Sequence, residues 1–281
     1  MSPKTEHPLF DLKIISYFLI AFAVVMSTSV AGGIAGGIVK YAVSPDYKGA
    51  ARGIVTAAAS LVMAVAFWIY FRRDGYKGIL NGHKFFMAFL LMLPFLIVHY
   101  AGSVVSWMQF GFSGKIVLSL LAALAPGFGE EMAFRGLAVA NFMRGVKDGK
   151  SIKFIFWLSS IVFGLTHIFN ITSGGDVLSC AIQSVYAIGV GMIFCAVFLR
   201  TGNLWPVMIA HASVDFMEFL RGDLAESGGV MTGLGTGDWI TVAASCVGAV
   251  IALILINKKH DEEIIALWRK KCAKNGDNKP L

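Results

Sequence analysis

The sequence predicts an all-α fold: a polytopic membrane helical bundle of about eight transmembrane helices, with both termini cytoplasmic. Three observations predict it. Hydrophobic residues make up 57% of the 281 and charged residues only 15%, whereas a soluble domain is near one half apolar and one quarter charged. Apolar runs of roughly 20 residues recur, the length of helix that crosses a hydrocarbon core of about 30 Å. Lys and Arg gather in alternate connections between those runs, as cytoplasmic loops do under the positive-inside rule.

The first span is expected at 14–39. Its "AGGIAGG" stretch sets Gly32 with Gly36 and Gly33 with Gly37, small-xxx-small pairs that admit a close neighbouring helix. The preceding "STSVAGG" resembles the end of a cleaved signal peptide, but the apolar run continues past it. Further spans are expected at 51–71, 85–109, 116–143, 154–172, 177–199, 204–220 and 239–257. In the fourth, Pro126 and Gly127 should interrupt the helix and leave Glu130 and Glu131 near the start of a half-helix, whose free N–H groups favour anions.

The basic connections are "FRRDGYKG", "MRGVKDGKSIK", Arg200 and the tail, and they alternate with "TSGGD" and "GDLAESGG". Lys40, Lys48 and Arg52 fit the alternation less well. Residues 258–281 form a basic cytoplasmic tail. From Asp261 it reads either as an amphipathic helix on the inner surface with Trp268 as interfacial anchor, or as a solvated end that fixes topology, the favoured reading. No internal repeat or long linker divides the chain, so 1–281 is one transmembrane domain. The formal charge of +7 follows this topology and gives no reason to expect nucleic acid. Cys180, Cys195, Cys246 and Cys272 show neither disulfide nor zinc-knuckle spacing. Met and Phe stripes such as "FFMAFLLMLPF" read as lipid-facing or packing surface.

Ionisable groups inside spans are costly and mark function by default. They collect in three places: Glu130, Glu131 and Arg135 in the fourth span, His167 and Asn170 in the fifth, His211 and Asp215 in the seventh. Residues four apart share a helix face, so Glu131 meets Arg135 in an ion pair. Glu130 has Ala133 and Phe134 at the matching positions and no local counter-charge, the setting of a general base. Glu130 lies fourteen residues before Arg144 and His167 fourteen after Lys153, which puts both at about 20 Å along the helix from one loop. His211 follows the "RTGN" turn by fewer residues and would sit shallower on a straight helix. His211 and Asp215 are again four apart, so the carboxylate can orient the imidazole.

These residues fall into three motifs, "EEMAFR", "FGLTH" from Phe163 to His167, and "HASVD" from His211 to Asp215, with "VFLRTGNLWPVMIAH" leading into the last. In this order, each within a span, they resemble the CAAX-protease and bacteriocin-processing family of intramembrane proteases, also called the Abi family, over roughly 115–220. The resemblance implies an intramembrane endopeptidase in which Glu130 and His167 activate a water and His211 with the residue four later stabilises the oxyanion. That last residue is Asp215, where prenyl-processing members typically carry Asn. An ionised Asp cannot donate a hydrogen bond to an oxyanion; it must be protonated, orient His211 or help hold a metal.

The candidate catalytic residues are therefore Glu130, Glu131, His167, His211 and Asp215, with Arg135, Phe163 and Asn170 as structural support. A divalent metal such as zinc could be held by Glu130, His167 and His211. A glutamate-activated water needs no metal, and the metal-free reading is favoured. The expected partners are membrane lipid and a peptide or prenylated-protein substrate, in a multi-pass protein of a bacterial inner membrane. The alternative is a non-catalytic protein, either bacteriocin immunity or ion-coupled transport. Broken helices at matching positions would favour transport, and Pro94, Pro126 and Pro206 do not form that pattern.

Overall fold

Each of the apolar runs folds as a helix, the conformation that satisfies backbone N–H and C=O groups within its own segment. The computed structural model describes residues 12–43, 48–73, 79–80, 84–222, 224, 231 and 233–272. Expectations for the basic stretch beyond Arg73, for the connection at 225–230 and for the tail beyond Cys272 lie outside the described residues.

The helices are α1 (Leu12–Ala42), α2 (Lys48–Arg73), α3 (Phe85–Phe110), α4 (Ile116–Glu131), α5 (Ala140–Met143), α6 (Gly149–Thr166), α7 (Val177–Thr201), α8 (Trp205–Phe219), α9 (Thr236–Leu255) and α10 (Asp261–Cys272). A π-helical segment, Met132–Val139, joins α4 to α5, and a 3₁₀ segment, His167–Ser173, ends α6. Among the described residues the extended pairing is a single bridge between Phe112 and Arg221.

Among the described residues six stretches are long and apolar enough to cross a membrane: Ile14–Val39, Phe85–Phe110, Ile116–Met143, Gly149–Thr172, Val177–Thr201 and Thr236–Leu255. The expected spans at 51–71 and 204–220 differ from these. α2 is apolar throughout only over Leu61–Tyr70. α8 has 15 residues, about 22 Å of helix, short of a core of about 30 Å.

α7 lies at the centre, buried without interruption from Gly189 to Leu199. It packs against α6, α9 and α3, while α4 packs against α8 and α2, and α1 against α2 and the π-helical segment. Asp148 caps α6 by accepting from Ser151 N and Oγ, both at 2.8 Å, which holds its carboxyl below the usual Asp range. Asp176 caps α7 in the same way through Ser179.

The expected break at Pro126 does not occur. α4 runs through Pro126 to Glu131, so the glutamates stand at the C-terminal end of α4, not at a helix start. The irregularity comes after them, in the π-helical segment. A missing proline N–H near the surface of a helix is tolerated, and π-helical turns recur at functional sites.

The tail is also corrected. It is neither solvated nor anchored by an interfacial Trp: α10 docks on the protein. Trp268 is 1% exposed, its Nε1 donates to Leu199 O at 3.0 Å, and its ring meets Phe198 edge-on at 5.2 Å. Asp261 pairs with Lys153 at 3.0 Å and Glu263 with Arg200 at 2.7 Å. The Arg200 guanidinium holds the Glu263 carboxyl below its usual range.

This docking answers the question of His211's depth. The α7–α8 turn does not reach the surface: Thr201, Asn203 and Leu204 are fully buried. Leu204 N donates to Ile79 O at 2.6 Å, and Trp205 Nε1 to Leu80 O at 2.9 Å. α8 thus starts inside the protein. At its far end Ser113 N donates to Leu220 O at 2.7 Å, and Gly222 N to Gly111 O at 2.9 Å. Replacing a buried Trp by Ala costs about 3–5 kcal/mol, so Trp268→Ala is expected to lower the detergent melting temperature markedly. An unchanged melting curve would contradict the docked tail.

Candidate functional site

The site is built where α4 and α8 touch. The contact depends on Gly127: a Cβ there would lie 2.5 Å from both N and Cβ of Ala212. With only hydrogen on Gly127 the two backbones come together, and the next turn of α4 places Glu131 beside His211, the neighbour of Ala212. Glu131 Oε1 accepts from Arg135 Nη1 at 2.8 Å and lies 3.0 Å from His211 Nδ1. A carboxylate paired with Arg only accepts hydrogen bonds, so Nδ1 carries the hydrogen and donates.

Arg135 is held from three sides. Besides Glu131, its Nη2 donates to Gly191 O on α7 at 3.0 Å, and its Cζ lies 4.3 Å from the centre of the Phe163 ring on α6, a cation–π contact. Glu131 and Arg135 are both fully buried. The expected ion pair is therefore present, and it reaches further than its own helix.

Phe163 is the hub of the aromatic wall. Its ring centroid is 5.7 Å from His167, 5.6 Å from His211 and 5.8 Å from Phe134. His167 sits where α6 tightens into 3₁₀ geometry, and it lies within electrostatic range of His211. Glu130 lies within that range of His211, Asp215, Glu131 and Arg135. Its Oε2 is buried without a hydrogen-bond partner. Residues from the three motifs, spread over four segments, thus converge.

Two expectations change. Asp215 was expected to orient His211, but the shorter contact is made by Glu131; Asp215 Oδ2 lies 3.5 Å from the other ring nitrogen, Nε2. Asn170 turns to α7, where its Nδ2 donates to Gln183 Oε1 at 2.9 Å, so its support goes to the α6–α7 connection.

The metal set does not form either. Among the described residues no three His, Cys, Asp or Glu side chains gather closely enough to hold a metal ion. His211 has Nδ1 committed to Glu131 and Nε2 facing Asp215, so Glu130, His167 and His211 do not present a common set of lone pairs.

The sequence reading missed a second polar group beside the first. His99 on α3 is 1% exposed and its Nε2 lies 3.8 Å from Glu218 Oε1 on α8. Ser103 Oγ donates to the same oxygen at 3.1 Å. Glu218 stands three residues after Asp215 and seven after His211, a helical spacing that could have found it. His99 lies 31 residues before Glu130, the first motif residue, and carried no such signal. Near the far end of α8, Arg221 pairs with Asp238 at 2.8 Å and stacks on Phe110 at 4.0 Å.

Comparison with known families agrees with the geometry. Residues 112–217 match the family described as type II CAAX prenyl endopeptidase Rce1-like, a stretch that contains all three motifs. The resemblance carried by those motifs is matched over these residues, and the long apolar helices make the chain an integral, multi-pass membrane protein. No curated protein matches the chain, and no solved structure does.

Removing one partner of a buried ion pair costs about 3–5 kcal/mol. Arg135→Ala is therefore expected to cut yield and thermal stability in detergent, and Arg135→Lys to recover only part, since it loses the Phe163 stacking. Equal melting temperatures for all three proteins would refute the pair's role. Overpacking a tight contact costs about 1–3 kcal/mol, so Gly127→Val should also destabilise, while leaving the Glu131–Arg135 pair within its own helix.

Proposed function

We propose that this protein is an intramembrane endopeptidase that hydrolyses a peptide bond with a water activated by Glu130 and His167. The observation that supports this most is the different fate of two adjacent carboxyl groups. Each has a buried Oε2 without a hydrogen-bond partner, but Glu131 is bonded through Oε1 to both Arg135 and His211, whereas Glu130 pairs with neither. The first is committed to structure; the second is left for chemistry.

In this reading Glu130 takes a proton from water as the oxygen attacks the carbonyl carbon, and His167 orients that water. The carbonyl oxygen becomes an oxyanion beside His211 and a protonated Asp215, which lower the barrier by meeting the developing charge. Glu130 then passes its proton to the leaving amine, and the base is regenerated. Glu131 acts through His211, fixing its ring and its Nδ1–H. The surrounding helices keep bulk water out, which strengthens each of these interactions. No step is routed through a metal, because the donor groups do not converge on one.

The substrate class in this reading is a membrane-associated peptide precursor or a prenylated protein. Lys84, Lys153 and Arg200 all pair with α10 and so share one end of the bundle. The positive-inside rule makes that end cytoplasmic, and with an even number of passes both termini lie there, in a bacterial inner membrane.

The test is a proteomic comparison of membranes holding the wild type or Glu130→Gln. Precursors of cleaved peptides are expected to accumulate with the variant, whose level and melting temperature match the wild type. Dialysis of purified wild type against a chelator is expected to leave cleavage intact. A fully active Glu130→Gln protein would remove the base from the mechanism.

A further inference from the structure

Asp215 occupies the position where a hydrogen-bond donor is wanted, and a carboxylate offers none. The structure supplies a neighbour that bears on this. His211, Asp215 and Glu218 follow one another at four and three residues along α8, so they share a face. Glu218 is held from α3 by Ser103 at 3.1 Å and approached by His99 at 3.8 Å. The two helices are tied again one turn back, where Tyr100 Oη and Ser213 Oγ are 2.6 Å apart. His99 is fixed in turn by rings: Phe95 lies 5.6 Å from it and 5.9 Å from Phe194, which lies 5.4 Å from His211.

The side chains of Asp215 and Glu218 retain only 20% and 17% of their exposure. The charged and titratable groups facing them are His211 on α8, Glu130 and Glu131 on α4, His99 on α3, Tyr186 on α7, and Arg221 with Asp238 near the far end. Arg221 is committed to Asp238 through contacts of 2.8 and 3.1 Å. Among the described residues Arg221 is the cation besides the histidines that faces Glu218, and it favours the anionic form of Glu218 while already bonded to Asp238; it does not act on Asp215.

Resting on the endopeptidase reading, we propose that Glu218 is a positioning residue for Asp215: the two carboxyl groups hold one proton between them, and Asp215 presents it to the substrate's carbonyl oxygen. Two carboxyl groups sharing a poorly solvated site do not both ionise. Ser103 Oγ lies 3.1 Å from Glu218 Oε1 and 3.3 Å from His99 O; with its one hydrogen given to the nearer acceptor it satisfies the anionic form of Glu218, which leaves the proton on Asp215. The acid then does the work of the amide found in the related motif. Both α3 and Glu218 lie outside the matched residues 112–217.

The experiment is a double-mutant cycle read in two ways, on the full-length protein in detergent. With a peptide that the wild type cleaves, Glu218→Gln is expected to lower kcat about tenfold with KM retained, a fraction of what losing an oxyanion donor costs. In the Asp215→Asn background, where the amide donates without a shared proton, adding Glu218→Gln should change kcat by less than about twofold. Equal losses in both backgrounds would make Glu218 a structural residue and overturn the proposal. Infrared difference spectra test the shared proton without any substrate. A carboxylic-acid C=O band should vanish in Asp215→Asn and shift in Glu218→Gln. Its absence from the wild type would overturn the proposal even if cleavage were found, and its presence would uphold the shared proton even if the endopeptidase reading failed.

Discussion

A carboxylate sealed inside a membrane bundle has to be matched, because an unpaired charge there is expensive. Glu131 is matched twice, by the Arg135 guanidinium and by the His211 ring, at 2.8 and 3.0 Å. That three-membered contact reaches five segments at once. Arg135 extends it to Gly191 on α7 and to Phe163 on α6, and His211 extends it to α8. The positions of Glu130 and His167 follow, since the first is the chain neighbour of Glu131 and the second packs on Phe163.

The contact is possible because the helices approach more closely than larger side chains would allow. In lipid there is little hydrophobic drive between helices, so association relies on close packing and interhelical hydrogen bonds. Gly127 brings α4 onto Ala212, and Gly191 leaves room beside Arg135 and Phe163. The π-helical segment that follows Glu131 is the remaining adjustment, a change of helical pitch over the very residues that include Arg135.

α8 carries half of the site and is too short to cross a membrane alone. It is suspended between two built ends. At one, α10 and the Ile79–Leu80 turn cover the buried α7–α8 connection. At the other, Arg221, Asp238 and the backbone near Phe112 hold its last turn. Elements outside the matched family stretch thus decide where the motif residues sit within it.

The helices and the Glu131–Arg135 pair were legible in the sequence because they depend on local spacing: apolar runs long enough for a span, and two charges one turn apart. The three motifs picked out polar residues that the fold brings together, each again marked by local spacing. The pairing of Glu131 with His211, 80 residues away, was not legible, and neither were His99 beside Glu218, the docked Trp268 or the depth of α8. Each of these depends on how far one helix slides and turns against another. That is set by close contacts such as Gly127 on Ala212, between residues whose order in the chain carries no record of their distance in space.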